Sequence, residues 1–260
     1  MAGAAVRAVS GIGSAFLGIA LEVGSFGVLT ARLARRLAPP DFDGTELRKN
    51  FYRMGVRSLP IVLATALFTG FIMTIQAGVV IGRYDAEGLI GWAAGFVTLR
   101  EVGPILIALM FSGRVGANNT AELATMTVTE QVDGLRALAI DPLSYLVLPR
   151  VIAMVVLLFL LTVWGDLFAL IGAAVMGEVM LGVSRHVFLR GLLDMLGLWD
   201  LATGLIKSAA FGLMIAIASC HFGLSVKGGA PGVGRAVNAS VVAAAAGVFV
   251  VDYFLTYLLR

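Results

Sequence analysis

Charge is scarce in this sequence. Of its 260 residues only 13% are Asp, Glu, Lys or Arg, against roughly 25% in an ordinary soluble domain, too few to wet a folded surface. Hydrophobic residues make up 59% of the chain and mean hydropathy is +0.96, which places it in a bilayer. Cysteine is nearly absent, and Cys220 alone excludes an internal disulfide framework or a multi-cysteine metal site. Histidine is confined to His186 and His221. His186 with nearby Glu178 supplies too few ligands for a metal. Also missing are a Gly-x-x-x-x-Gly-Lys-Ser/Thr phosphate cradle and a Gly-x-Ser-x-Gly nucleophile elbow. Lys207-Ser208 follows Ile206, and neighbours such as Cys220 and His221 diverge by about 100° on a helix. The chain is therefore expected to hold no catalytic residue, metal or cofactor of its own. The first apolar stretch lacks a basic start and a small-residue cleavage site, so no cleavable signal peptide is expected.

What is present is a series of long apolar runs. A crossing helix needs about 20 mostly apolar residues. Five stretches qualify: Ser58–Gly82, Gly88–Gly113, Val151–Gly177, Leu201–Val226 and Ala236–Leu259. The expected fold is an all-α integral membrane protein with five transmembrane helices. Ala8–Ala31 is apolar too, but it contains Glu22 and ends in Arg32, Arg35 and Arg36, which favours a helix lying in the membrane interface. Residues 1–50 then form an interfacial helix and basic connector, and residues 51–260 the transmembrane domain. Breaks are expected at Ala38-Pro39-Pro40-Asp41 and at Asp141-Pro142.

The net charge of +3 does not point to nucleic acid, because the basic residues form no single stripe. They alternate with the apolar runs. Arg48, Lys49, Arg53 and Arg57 precede the first span, Arg114 and Arg136 lie in the next loop on that side, and Lys227 and Arg235 in the last. The opposite loops hold Arg83, Arg185 and Arg190. The positive-inside rule makes the first group, and the N-terminus, cytoplasmic.

Five charges fall inside the spans: Arg100, Glu101, Asp166, Lys207 and Asp252. Each costs at least ~2.5 kcal/mol at the bilayer centre, so each is expected to face protein or a wet cavity. Counting residues puts Arg100, Glu101 and Asp166 near the midplane and pairs Lys207 with Asp252 nearer the outer face. Structural ion pairs, a headgroup site or latch, and a proton relay all remain open on this pattern. Gln76, Val80 and Tyr84 recur every four residues and share one face of the first span. That spacing suits ordinary packing, but Gln76 suggests a cavity-facing side.

The stretch from Ser112 to Arg150 is the most distinctive. Leu123, Met126, Leu135 and Leu138 have helical spacing among Glu122, Glu130, Gln131 and Asp133, which predicts a short amphipathic helix over about 120–139. Such a helix suits a groove on a soluble partner. Leu99-Arg-Glu-Val-Gly-Pro104, Gly113-Arg-Val-Gly116 and Met126-Thr-Val-Thr-Glu-Gln-Val-Asp-Gly-Leu135 together resemble the MlaE (YrbE) permease family. Asp141-Pro142, Pro149-Arg150, Asp166, Ile206-Lys207-Ser208 and Asp252 continue the likeness, which runs from about Asn50 onward. One departure is Asn118-Asn119-Thr120, where the family more usually has small apolar residues.

The resemblance implies a homodimeric permease of the bacterial inner membrane, moving phospholipid or a related lipid between that membrane and the cell envelope. Its implied partners are a cytoplasmic ABC ATPase that binds ATP and Mg, a periplasmic MCE-domain protein and a small cytoplasmic STAS-type subunit. It implies that Glu130, Gln131, Asp133 and Leu135 couple to the ATPase. Gln76, Val80, Tyr84 and Glu101 would border the lipid cavity, and Arg100, Asp166, Lys207 and Asp252 would form a polar network. The alternative by physics alone is an ion-coupled secondary transporter, but such carriers often show related halves, and no repeat is visible.

Overall fold

The computed structural model describes residues 2–36, 44–84 and 86–260, and these residues contain helices and no strands. The chain runs as α1 (Ala2–Arg36), α2 (Gly44–Asn50, extended by a π turn at Phe51–Val56), α3 (Leu59–Tyr84) and α4 (Ile90–Val128). It continues as α5 (Gln131–Ala137), α6 (Leu143–Leu181), α7 (Arg185–Met195), α8 (Leu198–Leu224) and α9 (Gly229–Leu258). Helices α3, α4, α6, α8 and α9 are the five long and apolar enough to cross a membrane. The expected all-α membrane fold is present. The Ala38–Asp41 break lies outside the described residues.

The spans exceed their predicted limits. At 39 residues, α4 and α6 are each about 58 Å long, nearly twice a bilayer core. The extra turns of α4 are polar, and those of α6 lie mainly beyond Pro149 and Arg150, so apolar runs alone do not delimit them. Both helices contain an interior proline, Pro104 and Pro149, which cannot donate to the carbonyl four residues earlier and would crowd it. Each proline is preceded by a π turn, Thr98–Val102 in α4 and Leu143–Val147 in α6, which widens the helix where the ring needs room. A further π turn interrupts α4 at Ser112–Gly116.

Helix α6 is the most buried span and packs chiefly on α3 and α8, while α9 is the least buried. Phe111, Leu123, Met154, Leu158, Phe211 and Ile215 form the core between α4, α6 and α8. Small residues bring the backbones together. A Cβ on Gly70 would fall on the Ala169 carbonyl, and one on Gly172 on the Leu67 carbonyl.

One end of the bundle carries α1, α2 and α5. Helix α1 is not among the helices apolar enough to span. Phe26 meets His221 of α8 edge-on at 4.9 Å, Leu33 is buried, and Arg36 pairs with Asp141 and donates to Ser144 Oγ at 2.7 Å.

The single amphipathic helix expected over 120–139 is two elements. Helix α4 carries on to Val128, Glu130 turns into the left-handed region at φ 60°, and α5 starts afresh at Gln131. It ends with Ala139 at φ 58°, where Ile140 N donates to Leu135 O and Ala139 N to Arg136 O, satisfying carbonyls the helix leaves open.

Candidate functional site

At the bundle end opposite α5, five charged side chains and a threonine are gathered into one cluster. Lys207 is completely buried, and its Nζ donates to Glu101 Oε2 at 2.5 Å and to Thr256 Oγ1 at 2.7 Å. The Asp252 carboxylate lies 3.0 Å from the same ammonium. Beside it, Arg100 donates to Asp200 Oδ1 at 2.9 Å and to the Leu259 carbonyl at 3.1 Å, and lies 5.5 Å over the Phe96 ring. Arg100 thereby caps the C-terminal end of α9, where open carbonyls favour a cation.

Glu101 belongs to this cluster rather than to a separate midplane layer. The reason is that α8 starts at Leu198, so Lys207 sits nine residues in (207 − 198 = 9), deeper than a start at Leu201 suggests. The early start also turns Asp200 from a loop residue into a helix residue. Its other oxygen accepts from Gly197 N at 3.0 Å, so it caps α8 while holding Arg100.

Asp166 does not join the network. It is buried with both oxygens unpartnered among the described residues, and it faces the π turn of α4, where a Cβ on Gly103 would meet its Oδ1 at 2.8 Å. Depth brings Asp166 level with Arg100 and Glu101, but those two point toward α8 and α9 while Asp166 approaches from α6.

A cavity of about 450 Å³ opens on the cluster, lined by Arg100 and Glu101 of α4 and by Asp252, Tyr253, Thr256, Tyr257 and Arg260 at the C-terminal end of α9. Gln76, Val80 and Tyr84 are exposed on α3, and none of them lines this cavity within one chain.

At the α5 end, Glu130, Gln131 and Asp133 are exposed, with Asp133 paired to Arg136 at 2.6 Å. Leu135 is not on their surface. It is half-buried against the core beside buried Val132, and the apolar side chain turned outward is Leu138, 72% exposed. Behind α5, Glu122 of α4 receives Arg53 of α2 at 2.6 Å and Arg150 of α6 at 3.3 Å. Arg150 and Asn119 are buried partners that residue counting passed over, because each was assigned to a loop.

The sequence profile of the family described as Permease MlaE matches residues 47–258. The chain belongs to this family. A probable ABC transporter permease protein of Rickettsia felis is 36% identical over 248 residues, covering 95% of each chain. One of Synechocystis sp. is 38% identical over 206 residues, 79% of this chain and 78% of that protein. The chloroplastic protein TRIGALACTOSYLDIACYLGLYCEROL 1 of Arabidopsis thaliana is 35% identical over 232 residues, 89% of this chain and 66% of its own. This MlaE-family chain is thus a multi-pass ABC transporter permease. The Lys207 cluster and α5 both fall within the matched region, and α1 precedes it.

Proposed function

We propose that this MlaE permease moves phospholipid or a related lipid between the bacterial inner membrane and the cell envelope, driven by ATP hydrolysis in a separate cytoplasmic ATPase. The observation that carries the reading is the Lys207–Glu101–Asp252 cluster, with Lys207 wholly buried, opening into a cavity that Tyr253 and Tyr257 also line. Charges this costly in a membrane are retained for work or for register. A cavity that mixes charged side chains with two tyrosine rings suits an amphiphile. The name of the Arabidopsis relative refers to trigalactosyldiacylglycerol, a lipid, which supports a lipid cargo.

The α5 end is assigned to the cytoplasm, because Arg48, Lys49, Arg53, Arg57, Arg114, Arg136 and Lys227 lie there. Glu130, Gln131 and Asp133 then face a soluble ATPase, with Leu138 as the apolar anchor in place of Leu135. Exposed Gln76 on α3 is a poor lipid-facing residue, which supports a second copy of the chain packing there and bringing Gln76, Val80 and Tyr84 to the cavity. An MCE-domain protein on the periplasmic side and a small STAS-type subunit on the cytoplasmic side complete the proposed assembly.

Tagged purification from the native membrane in mild detergent, with mass spectrometry of proteins and lipids, tests the assembly. An ATPase, an MCE-type protein and bound phospholipid are expected, and recovery of the chain alone under several gentle conditions refutes it. In the same complex, E130Q/D133N is expected to leave assembly intact and abolish lipid-dependent ATPase stimulation. Wild-type stimulation would remove α5 from the coupling role.

A further inference from the structure

A second cavity, of about 870 Å³, lies at the α5 end between the segment joining α2 to α3, α4 and the start of α5. Three guanidinium groups line it, those of Arg53, Arg57 and Arg114, against one carboxylate, Glu122. Glu122 is already engaged by Arg53 and by Arg150, which approaches from α6. Arg57 and Arg114 pair with no carboxylate among the described residues, and the Arg53 Nε–H is buried without an acceptor. The cavity therefore carries uncompensated positive charge on at least two forked donors, the geometry that phosphate oxygens match in pairs.

Its depth can be read from the helices. Arg57 lies two residues before α3, and Arg114 lies 24 residues past the start of α4 (114 − 90 = 24), or about 36 Å along it, just beyond one hydrocarbon thickness. Arg114 Nη2 donates to the Arg57 carbonyl at 2.9 Å, so the two arginines share one level. That level is the headgroup layer of the leaflet at the α5 end.

We infer that this cavity is a binding site for the phosphate of an anionic phospholipid from that leaflet, separate from the Lys207 cavity at the other end of α4. Its volume suits a glycerophosphate headgroup rather than a bare ion. Gln131, the first residue of α5, lines the same cavity, so an occupying headgroup touches the element proposed to meet the ATPase. The inference needs neither the transport direction nor the assigned orientation.

Native mass spectrometry of the full-length protein titrated with phosphatidylglycerol and phosphatidylcholine tests it without any ATPase. Phosphatidylglycerol is expected to bind at least about ten-fold more tightly, because both lipids offer the same phosphodiester but the choline ammonium of phosphatidylcholine sets a cation against Arg57 and Arg114. R57Q is expected to erase that preference, and R190Q, at the opposite end, to leave it intact. R57Q keeps the main-chain carbonyl that Arg114 uses. If it nevertheless misfolds, R57K, which swaps a fork for a point charge, is expected to lower the preference about three-fold. Equal binding of the two lipids, or equal losses in R57Q and R190Q, overturns the site. Full displacement of phosphatidylglycerol by millimolar inorganic phosphate overturns the lipid in favour of a free anion. None of these results bears on the Lys207 cavity, so this inference and the transport reading fail separately.

Discussion

Arg150 Nη1 donates to Asn119 Oδ1 at 2.8 Å, both side chains buried, and the bond ties the start of α6 to the lower part of α4. Asn119 passes the link on, donating to Ser219 Oγ of α8 at 2.8 Å, while Thr120 donates to Ser240 Oγ of α9 at 2.8 Å. The Asn118-Asn119-Thr120 departure from small apolar residues is thus matched by partners on three other spans. Asn119→Ala is expected to cost about 2–3 kcal/mol by stranding the Arg150 donor and the Ser219 acceptor. Arg150→Met should offset part of that loss in the double variant. Thermal melting of detergent-solubilised protein checks both, and strictly additive losses would deny the coupling.

Lys207 holds two carboxylates apart from each other's repulsion. Lys207→Met leaves Glu101 and Asp252 without their cation and is expected to cost about 3–5 kcal/mol, seen as lost yield of monodisperse protein. The K207M/E101Q/D252N triple variant removes every charge of the trio and should fold again. Lipid transfer by reconstituted vesicles should stay absent in it, and wild-type transfer would reduce the trio to a structural device.

Helix α3 has no room at Gly70. Gly70→Val is expected to push α3 off the Ala169 carbonyl and abolish folded protein, whereas Gly113→Ala, with nothing within 4 Å of its Cβ, should be neutral or slightly stabilising. Size-exclusion profiles of the two variants decide this.

Composition and run length made the five spans legible, and residue counting brought Lys207 and Asp252 to one depth. Direction around a helix was another matter. Asp166 was expected beside Arg100 because depth was all that counting supplied, and the π turn before Pro104 changes which face of α4 each residue occupies. The resemblance groups Leu135 with the coupling residues and spacing groups it with Leu138, but the left-handed turn at Glu130 breaks that periodicity and sends the two leucines to different surroundings. Asp200, Arg150 and Asn119 share a reason for escaping a sequence reading: each lies just outside the apolar run that marks its span. In the structure the helix runs past each of them, and their partners sit on other spans.

The π turn at Ser112–Gly116 has a genetic consequence. Glu101 and Glu122 are 21 residues apart, three heptads, which on an uninterrupted α-helix would leave them about 60° apart. Instead Glu101 faces α8 and α9, and Glu122 faces α2 and α6. The turn sets the phase of everything after it. Losing one codon there would barely alter hydropathy, yet it would swing Glu122 and the α5 it leads to by about 100°. Over this stretch a change in the number of residues is expected to do more harm than a change in their identity.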